Sequence, residues 1–253
     1  MTTGRPAANL PRDGGSRGDM RDLRYSTFLA ERLAAAVDAR KVERTRIKLE
    51  IAAAELLNEG SYRDLTVTGI TRRAGSAYGT FYRYYPSKRE IALSVLQGLL
   101  GAIRLMRPPG AQRPTEPYGR IFRATLNYVH VYRQNVGLFH CLLLVKHEDE
   151  AFAAIGRQSD EGLARRVLDS ADRQGLVLPF PDRARALLAV YGMMSLIDEL
   201  LRKIYGASEP AIAAFGNDAA TVAEAISTLW YRGLYGRDVP PEVMAAARDM
   251  ARP

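Results

Sequence analysis

Apolar residues recur at three- and four-residue steps through most of this chain, and no strict alternation persists, so the pattern predicts helices and no strands. Phe28, Leu29, Leu33, Ala36 and Val37 open it. No Gly or Pro intervenes before Leu57, which predicts one long helix or two abutting ones, with Gly60 as the C-terminal stop. A block of short segments follows. Thr66 is placed to cap a helix reaching Ala74, and Gly75 offers a turn residue that tolerates positive φ. A second short helix runs from about Ala77 to Tyr84, where Pro86 ends it. Ser87 then caps a longer helix through Ile91, Val95 and Leu99 to about Met106. Pro108, Pro109, Pro114 and Pro117 mark a linker. Beyond it, segments 118–135, 137–155, 160–174, 182–205 and 217–235 all read as helices.

Residues 1–24 break the pattern. They hold Gly, Arg, Asp and Pro with almost nothing apolar to bury, which predicts a disordered basic tail. The reading is therefore all-α: a tail over 1–24, an N-terminal helical extension over 25–45, a three-helix unit over 46–106 and a second helical domain over 107–253.

Composition bounds this further. The chain has 253 residues, 47% hydrophobic and 25% charged, which is globular and fits one large or two small domains. The lone Cys141 cannot close an internal disulfide, which fits a reducing compartment. The charge-free apolar stretch Ala186 to Ile197 falls short of the ~20 residues a bilayer needs. The N-terminus lacks the apolar core of a secretory signal, so a cytoplasmic location is expected. Of the formal net charge of +8, residues 1–100 carry +6. That asymmetry fits either a polyanion-binding end or a solvated basic surface.

No nucleophile elbow, phosphate-cradling Gly loop or paired Cys/His ligands occur, so neither an enzyme nor a cofactor is expected. His130, His140 and His147 lack further ligands at helical spacing and do not predict a metal site. What the chain does carry is two short helices joined by a Gly turn, the pattern of a helix-turn-helix, whose second helix fits a DNA major groove. The stretch Ser76 to Tyr85 has suitable chemistry. Gly79 lets a backbone approach closely, Thr80, Tyr82 and Arg83 offer donors, and Tyr78 can reach a base edge. Phe81 and Tyr85, four apart, form the inward face. Arg72 and Arg73 either belong to a solvated face or lie near phosphates.

Residues 46–99 resemble the DNA-binding domain of the TetR/AcrR family of transcriptional regulators. The resemblance rests on Leu65-Thr66-Val67, Ile70, Ala74-Gly75, Gly79-Thr80-Phe81-Tyr82, Tyr84 and Ser87-Lys88, at the family's spacing. It implies that Thr80, Tyr82 and Lys88 hold phosphates, that Thr68 and Tyr78 read bases, and that Arg46 touches the DNA backbone. Thr66, Ser76, Gly79 and Arg83 complete the candidate DNA-binding set. Three positions depart from the family pattern. Ser76-Ala77 replaces its usual Val-Ser, so Ser76 is expected to cap instead, one residue early. Thr71 stands where Ala is usual, and the Gly after the first helix comes early, at Gly60. The base-reading register stays open.

In the second domain, Leu187, Tyr191, Met194, Ile197, Leu201 and Ile204 form one stripe, with Gly192 and Ser195 leaving room for another helix. Val222, Ile226, Leu229 and Gly233 form another. Either both serve the subunit's own core, or they build the four-helix dimer interface that the resemblance implies, with Leu187, Tyr191, Ile197, Leu201, Val222, Ile226 and Leu229 in it. The resemblance also implies a ligand cavity, for which Tyr128, Tyr132, Phe139, His140, Leu143, Phe152 and Met194 are the candidates. Asp198-Glu199 either meets a polar ligand group or sits on a solvated edge. The 1–24 tail either adds phosphate contacts or is free, with the following helix packed on the DNA-binding unit or a partner. The expected function is a homodimeric repressor on a palindromic operator, released by a small hydrophobic or amphipathic ligand. The alternatives are a ligand-independent repressor or activator, and a helical ligand-binding protein with no specific DNA site.

Overall fold

The computed structural model describes residues 22–35, 41–103, 105 and 114–251. Most of the predicted tail, Ala36, Val37, Arg40, Met106 and the prolines at 108 and 109 lie outside them. Among the described residues the chain is helical throughout: α1 (Tyr25–Ala35), α2 (Lys41–Glu59), α3 (Val67–Arg73), α4 (Tyr78–Phe81), α5 (Lys88–Ala102), α6 (Pro117–Gln134), α7 (Val136–Val145), α8 (Glu150–Arg173), α9 (Arg183–Leu201), α10 (Ala219–Tyr235) and α11 (Pro241–Asp249). A π-helical turn, Arg202–Gly206, extends α9, and a 3₁₀ turn, Ala213–Asn217, precedes α10.

Local chemistry sets the joins. Thr66 caps α3 by accepting from the Gly69 N–H at 3.0 Å. At the other end of α3, Gly75 takes φ +62°. Its N–H donates to Arg72 O at 3.3 Å, and the Ser76 N–H donates to Thr71 O at 2.9 Å. This paired closure satisfies the helix's last carbonyls and turns the chain into α4. Ser87 caps α5 and Asp182 caps α9.

The structure corrects two of the helix readings. The expected helix over 137–155 is two: α7 stops at Val145, and Asp149 starts α8 by accepting from the Ala151 N–H at 2.9 Å. No Gly or Pro marks that break, because a run of charged residues and a side-chain cap make it. The expected gap before residue 160 is then filled by α8, which runs unbroken through Gly156. Helix α11 was not read from the sequence at all.

Three apolar cores form. The first gathers α1 to α5 around Leu49, Ala53, Leu57, Ile70, Phe81 and Ile91. Leu138, Cys141 and Val145 of α7 and Phe152 of α8 complete it, so the apolar core runs across the linker expected near residue 107. The second lies between α6, α10, α11 and the end of α9, around Tyr118, Phe122, Val222 and Ile226. The third joins α8 to α9 through Leu168, Val190 and Met194.

The corner between α6 and α7 is bolted to α2. Asn58 Nδ2 donates to Gln134 O at 2.9 Å, and the Gly137 N–H donates back to Asn58 Oδ1 at 3.1 Å. A Cβ at Gly137 would fall on the Asn58 backbone. Gly137→Ala is therefore expected to destabilise the fold by about 1–3 kcal/mol, because backbone rather than a flexible side chain must move. Thermal unfolding checks it: a melting temperature equal to the wild type's contradicts the close approach.

Candidate nucleic-acid interface

Helix α4 spans four residues, and its N-cap, Ala77, makes no side-chain hydrogen bond. An isolated turn of this kind has no stability of its own. The expected Ser76 cap does not form. Ser76 uses its backbone N–H to close α3, and α4 starts two residues later. The helix also stops at Phe81, short of the predicted Tyr84, although turn hydrogen bonds continue from Tyr84 and Tyr85 to Phe81 O.

Burial holds α4 in place. Phe81 is fully buried and Tyr85 nearly so, as the spacing predicted. Below them lies a polar cluster. The Tyr85 hydroxyl donates to Glu50 Oε1 at 2.5 Å, Ser94 Oγ donates to the same oxygen at 2.9 Å, and Arg46 Nε donates to the Tyr85 oxygen at 3.1 Å. Burial pushes the Tyr85 phenol up to about 12, and the Glu50 carboxylate adds to the rise. The Arg46 guanidinium lies 5.6 Å from the Tyr85 ring centroid, with its side chain still 56% exposed.

The opposite face is open. Tyr78 and Tyr82 are 54% and 49% exposed, their hydroxyl oxygens 3.0 Å apart and their rings edge-on at 5.5 Å. The shared hydrogen bond raises the Tyr82 phenol above its ordinary value. Only one of the two phenolic hydrogens lies between the oxygens, so the other is free to meet an acceptor. Gly79 sits exposed between them, and nothing lies within 4 Å of where its Cβ would stand. Arg83 and Thr68 are exposed, and Thr80 is half-buried. Thr66 is exposed but its hydroxyl oxygen serves the α3 cap.

One expected cation faces elsewhere. Lys88 turns inward: its Nζ donates to the carbonyls of Tyr62, Arg63 and Leu65 at 3.3, 3.3 and 2.9 Å, over the Tyr62 ring. It ties down the loop between α2 and α3. Arg73 pairs with Glu59 at 2.7 Å and Glu55 at 3.4 Å, whereas Arg72 is exposed.

In the second half the expected ligand residues divide. Tyr132 stacks on Phe139 at 4.5 Å, and Tyr128 meets Phe139 edge-on at 6.0 Å. Leu143 is half-buried and His140 exposed. Phe152 lies in the first core against Tyr62, at 5.8 Å, and Met194 in the third. Sequence reasoning undervalued Asp198. Its Oδ1 accepts from the Tyr128 hydroxyl at 2.9 Å. Solvent reaches this carboxylate, yet neighbouring protein crowds it enough to lift it to about 6, with Asp160 adding to the rise and Lys146 opposing it. A separate cavity of about 240 Å³ opens beside His130, Arg133 and Asp218 and shares none of the expected ligand residues.

The expected interface stripes also divide. Ile197, Leu201, Val222 and Ile226 are buried in the subunit's own second core. The apolar residues left outside are Leu188 at 74% exposure, Leu196 at 51%, Leu229 at 43% and Leu187 at 40%, with Gly192 and Ser195 exposed and Tyr191 half-buried beside them. Leu187 and Leu229 thus lie on the predicted stripes, whereas Leu188 and Leu196 stand one residue off the predicted α9 stripe. Helices α9 and α10 touch where Met193 Sδ comes within 2.5 Å of a Cβ built at Gly233, so their outer faces adjoin. No described helix is long and apolar enough to cross a membrane.

Comparison with known proteins agrees with this architecture. The sequence model of the family described as bacterial regulatory proteins, tetR family, matches residues 51–95, the stretch from α2 to α5 that presents α4. The HTH-type transcriptional regulator TcmR of Streptomyces glaucescens is 31% identical over 160 residues, spanning 60% of this chain and 70% of that protein. A tetR-family regulator from Streptomyces coelicolor shares the fold with a TM-score of 0.60 at 19% identity, over 83% of this chain and 89% of the other. A transcriptional regulator from Rhodococcus sp. Rha1 does so at 0.58 and 18%, over 80% and 100%. The chain belongs to the TetR family of bacterial regulatory proteins: it is a DNA-binding transcriptional regulator of the helix-turn-helix class and not an enzyme.

Proposed function

We propose that the protein is a homodimeric repressor that reads a palindromic operator through α4 and is released by a small amphipathic ligand. The observation that carries the DNA reading is the pair of exposed phenols, Tyr78 and Tyr82, standing over a fully buried Phe81. Tyr82, with Thr80, Arg83 and Arg46, is assigned to phosphates. Tyr78 and Thr68 are assigned to base edges, and exposed Gly79 admits the DNA backbone. Thr66, Ser76 and Lys88 support the interface by holding α3, its turn and the preceding loop. Phosphate contacts set affinity and orientation, whereas base contacts set specificity.

The dimer assignment rests on the exposed leucines of α9 and α10, which form an apolar strip where a monomer gains nothing by it. A twofold pair would set its two reading helices about 34–36 Å apart, which is what a palindromic site requires. The effector assignment rests on the aromatic wall of Tyr128, Tyr132 and Phe139 with the acid of Asp198 at its edge, an apolar surface with one polar tip. Release follows as a population shift, which requires the ligand to favour the non-binding arrangement.

Selection of bound duplexes from a random library, followed by footprinting, tests the reading, and palindromic sites are expected. Tyr82→Phe is expected to weaken binding about tenfold on operator and random duplexes alike, the worth of one hydrogen bond to a charged group. Tyr78→Ala should instead cost more on the operator than on random DNA, and equal losses would overturn the division. Leu188→Asp is expected to shift the protein towards monomer in sedimentation with its helical circular dichroism unchanged; an unaltered dimer removes this face from the interface.

Asp198 gives a pH test. A carboxyl raised from 3.8 to about 6 favours the fold while protonated. Its contribution is complete below about pH 4 and is lost as pH rises through 6. Asp198→Asn keeps an acceptor for Tyr128 and removes the charge. The variant should melt above the wild type at pH 7.5 and level with it near pH 3.5. A constant difference at both values contradicts the raised carboxyl.

A further inference from the structure

We propose that the N-terminal extension is a clasp and that Asn135, at the corner between α6 and α7, is the positioning residue that holds α4 at a set angle to the α9–α10 face. The inference rests on the dimeric operator-reading role proposed above.

Asn135 is 1% exposed, and its side chain makes three hydrogen bonds, all to backbone. Its Oδ1 accepts from the Tyr25 N–H at 2.7 Å. Its Nδ2 donates to Leu23 O at 2.9 Å and to Val131 O at 2.7 Å. Tyr25 opens the extension, Leu23 ends the segment expected to be a disordered tail and is instead buried, and Val131 belongs to α6. Next to it, Gln134 Oε1 accepts from the Leu23 N–H at 2.7 Å. A buried amide costs free energy unless its donors and acceptor are all engaged. Here all are engaged, two of the three by the backbone conformation of residues 23–25 rather than by that segment's side chains.

From that anchor the extension runs along the DNA-reading unit. Helix α1 packs on α2, and near its far end Arg44 Nη1 of α2 donates to Leu33 O at 3.3 Å. At its near end the buried Tyr25 ring crosses α5 so closely that a Cβ at Gly98 would fall on its hydroxyl oxygen. One side chain therefore joins the end of α6 to a strap that spans α2 and α5. Helix α6 in turn packs against α10. One chain of contacts from α4 to Leu229, the exposed leucine of α10, thus passes through this corner.

With the clasp closed, the two α4 helices of a dimer are held at one separation. With it open, the reading unit keeps its bolt at Asn58 and its Arg89–Asp149 pair but loses the strap on its other side. The dimer then tolerates operators whose half-sites lie at other separations.

The test uses the full-length protein and duplexes carrying the selected half-site at its selected spacing, or one base pair closer or wider. Wild-type affinity is expected to fall about tenfold for either shift. In Asn135→Ala that fall should shrink to about threefold or less. A change that only destabilises the fold lowers binding by the same factor at every spacing and leaves the profile unaltered. A folded Asn135→Ala protein with the wild-type profile overturns the clasp alone. A wild type indifferent to spacing overturns the dimeric reading and the clasp with it. Should Asn135→Ala fail to fold, Gly98→Ala displaces Tyr25 from outside the corner and is expected to flatten the profile in the same direction; a wild-type profile in that variant overturns the clasp equally.

Discussion

The burial of one phenylalanine governs the surface proposed to read DNA. A four-residue helix without a capping side chain does not persist in water, because nucleating a turn fixes more backbone freedom than one or two hydrogen bonds return. Helix α4 persists because Phe81 is driven into the first core and Tyr85 follows it one turn later. Fully burying an aromatic side chain is worth about 1.5–3 kcal/mol, which adds to the turn's own hydrogen bonds what an isolated turn lacks against its ordering cost. Everything exposed on α4 depends on this anchor. Tyr78 and Tyr82 flank Phe81 in sequence on the side it does not use, so the force that buries one ring is what presents the other two.

The floor beneath α4 is polar, and its chemistry is consistent with a fixed platform. Glu50 accepts from both Tyr85 and Ser94, and Arg46 donates to Tyr85 while lying near Glu50 at 3.5 Å. The carboxylate, on α2, is satisfied by the hydroxyls of Tyr85, just after α4, and Ser94 of α5, and by the guanidinium of Arg46 on α2. Such a network favours one arrangement because any shift leaves a half-buried charge short of partners. Arg46 is the member with its side chain largely in solvent, as the phosphate contact proposed for it requires.

How much of this was legible in the sequence follows from what each feature depends on. The helix-turn-helix was legible because its signals are local: Thr66, Gly75, Ser87 and the four-residue spacing of Phe81 and Tyr85 each act within a few residues. The failures came where a distant partner decides. Lys88 looks like a free cation in the chain, but three carbonyls of the preceding loop capture it. Ile197 and Val222 fit an interface stripe as well as a core stripe, and only the packing of α6 against α10 selects the core. The break between α7 and α8 is made by Asp149, whose capping role carries no Gly or Pro signal. Asp198 looked like a surface acid because nothing in its neighbourhood along the chain reveals Tyr128, seventy residues away.

The links between the two halves differ in how they respond to salt. The Arg89–Asp149 pair has side chains that are 40% and 22% exposed, so dissolved ions weaken it. The Asn58 and Asn135 bridges are neutral amides bonded to backbone, with Asn135 closed to solvent, and ions barely touch them. Phosphate contacts, in contrast, lose affinity steeply as salt rises. On the proposed reading, raising ionic strength acts mainly on how tightly α4 meets DNA, and much less on the angle at which the rest of the chain holds it. An operator preference that survived high salt while overall affinity fell would be the signature of that separation: affinity set by exposed charge, geometry set by two uncharged amides, one half-buried and one buried.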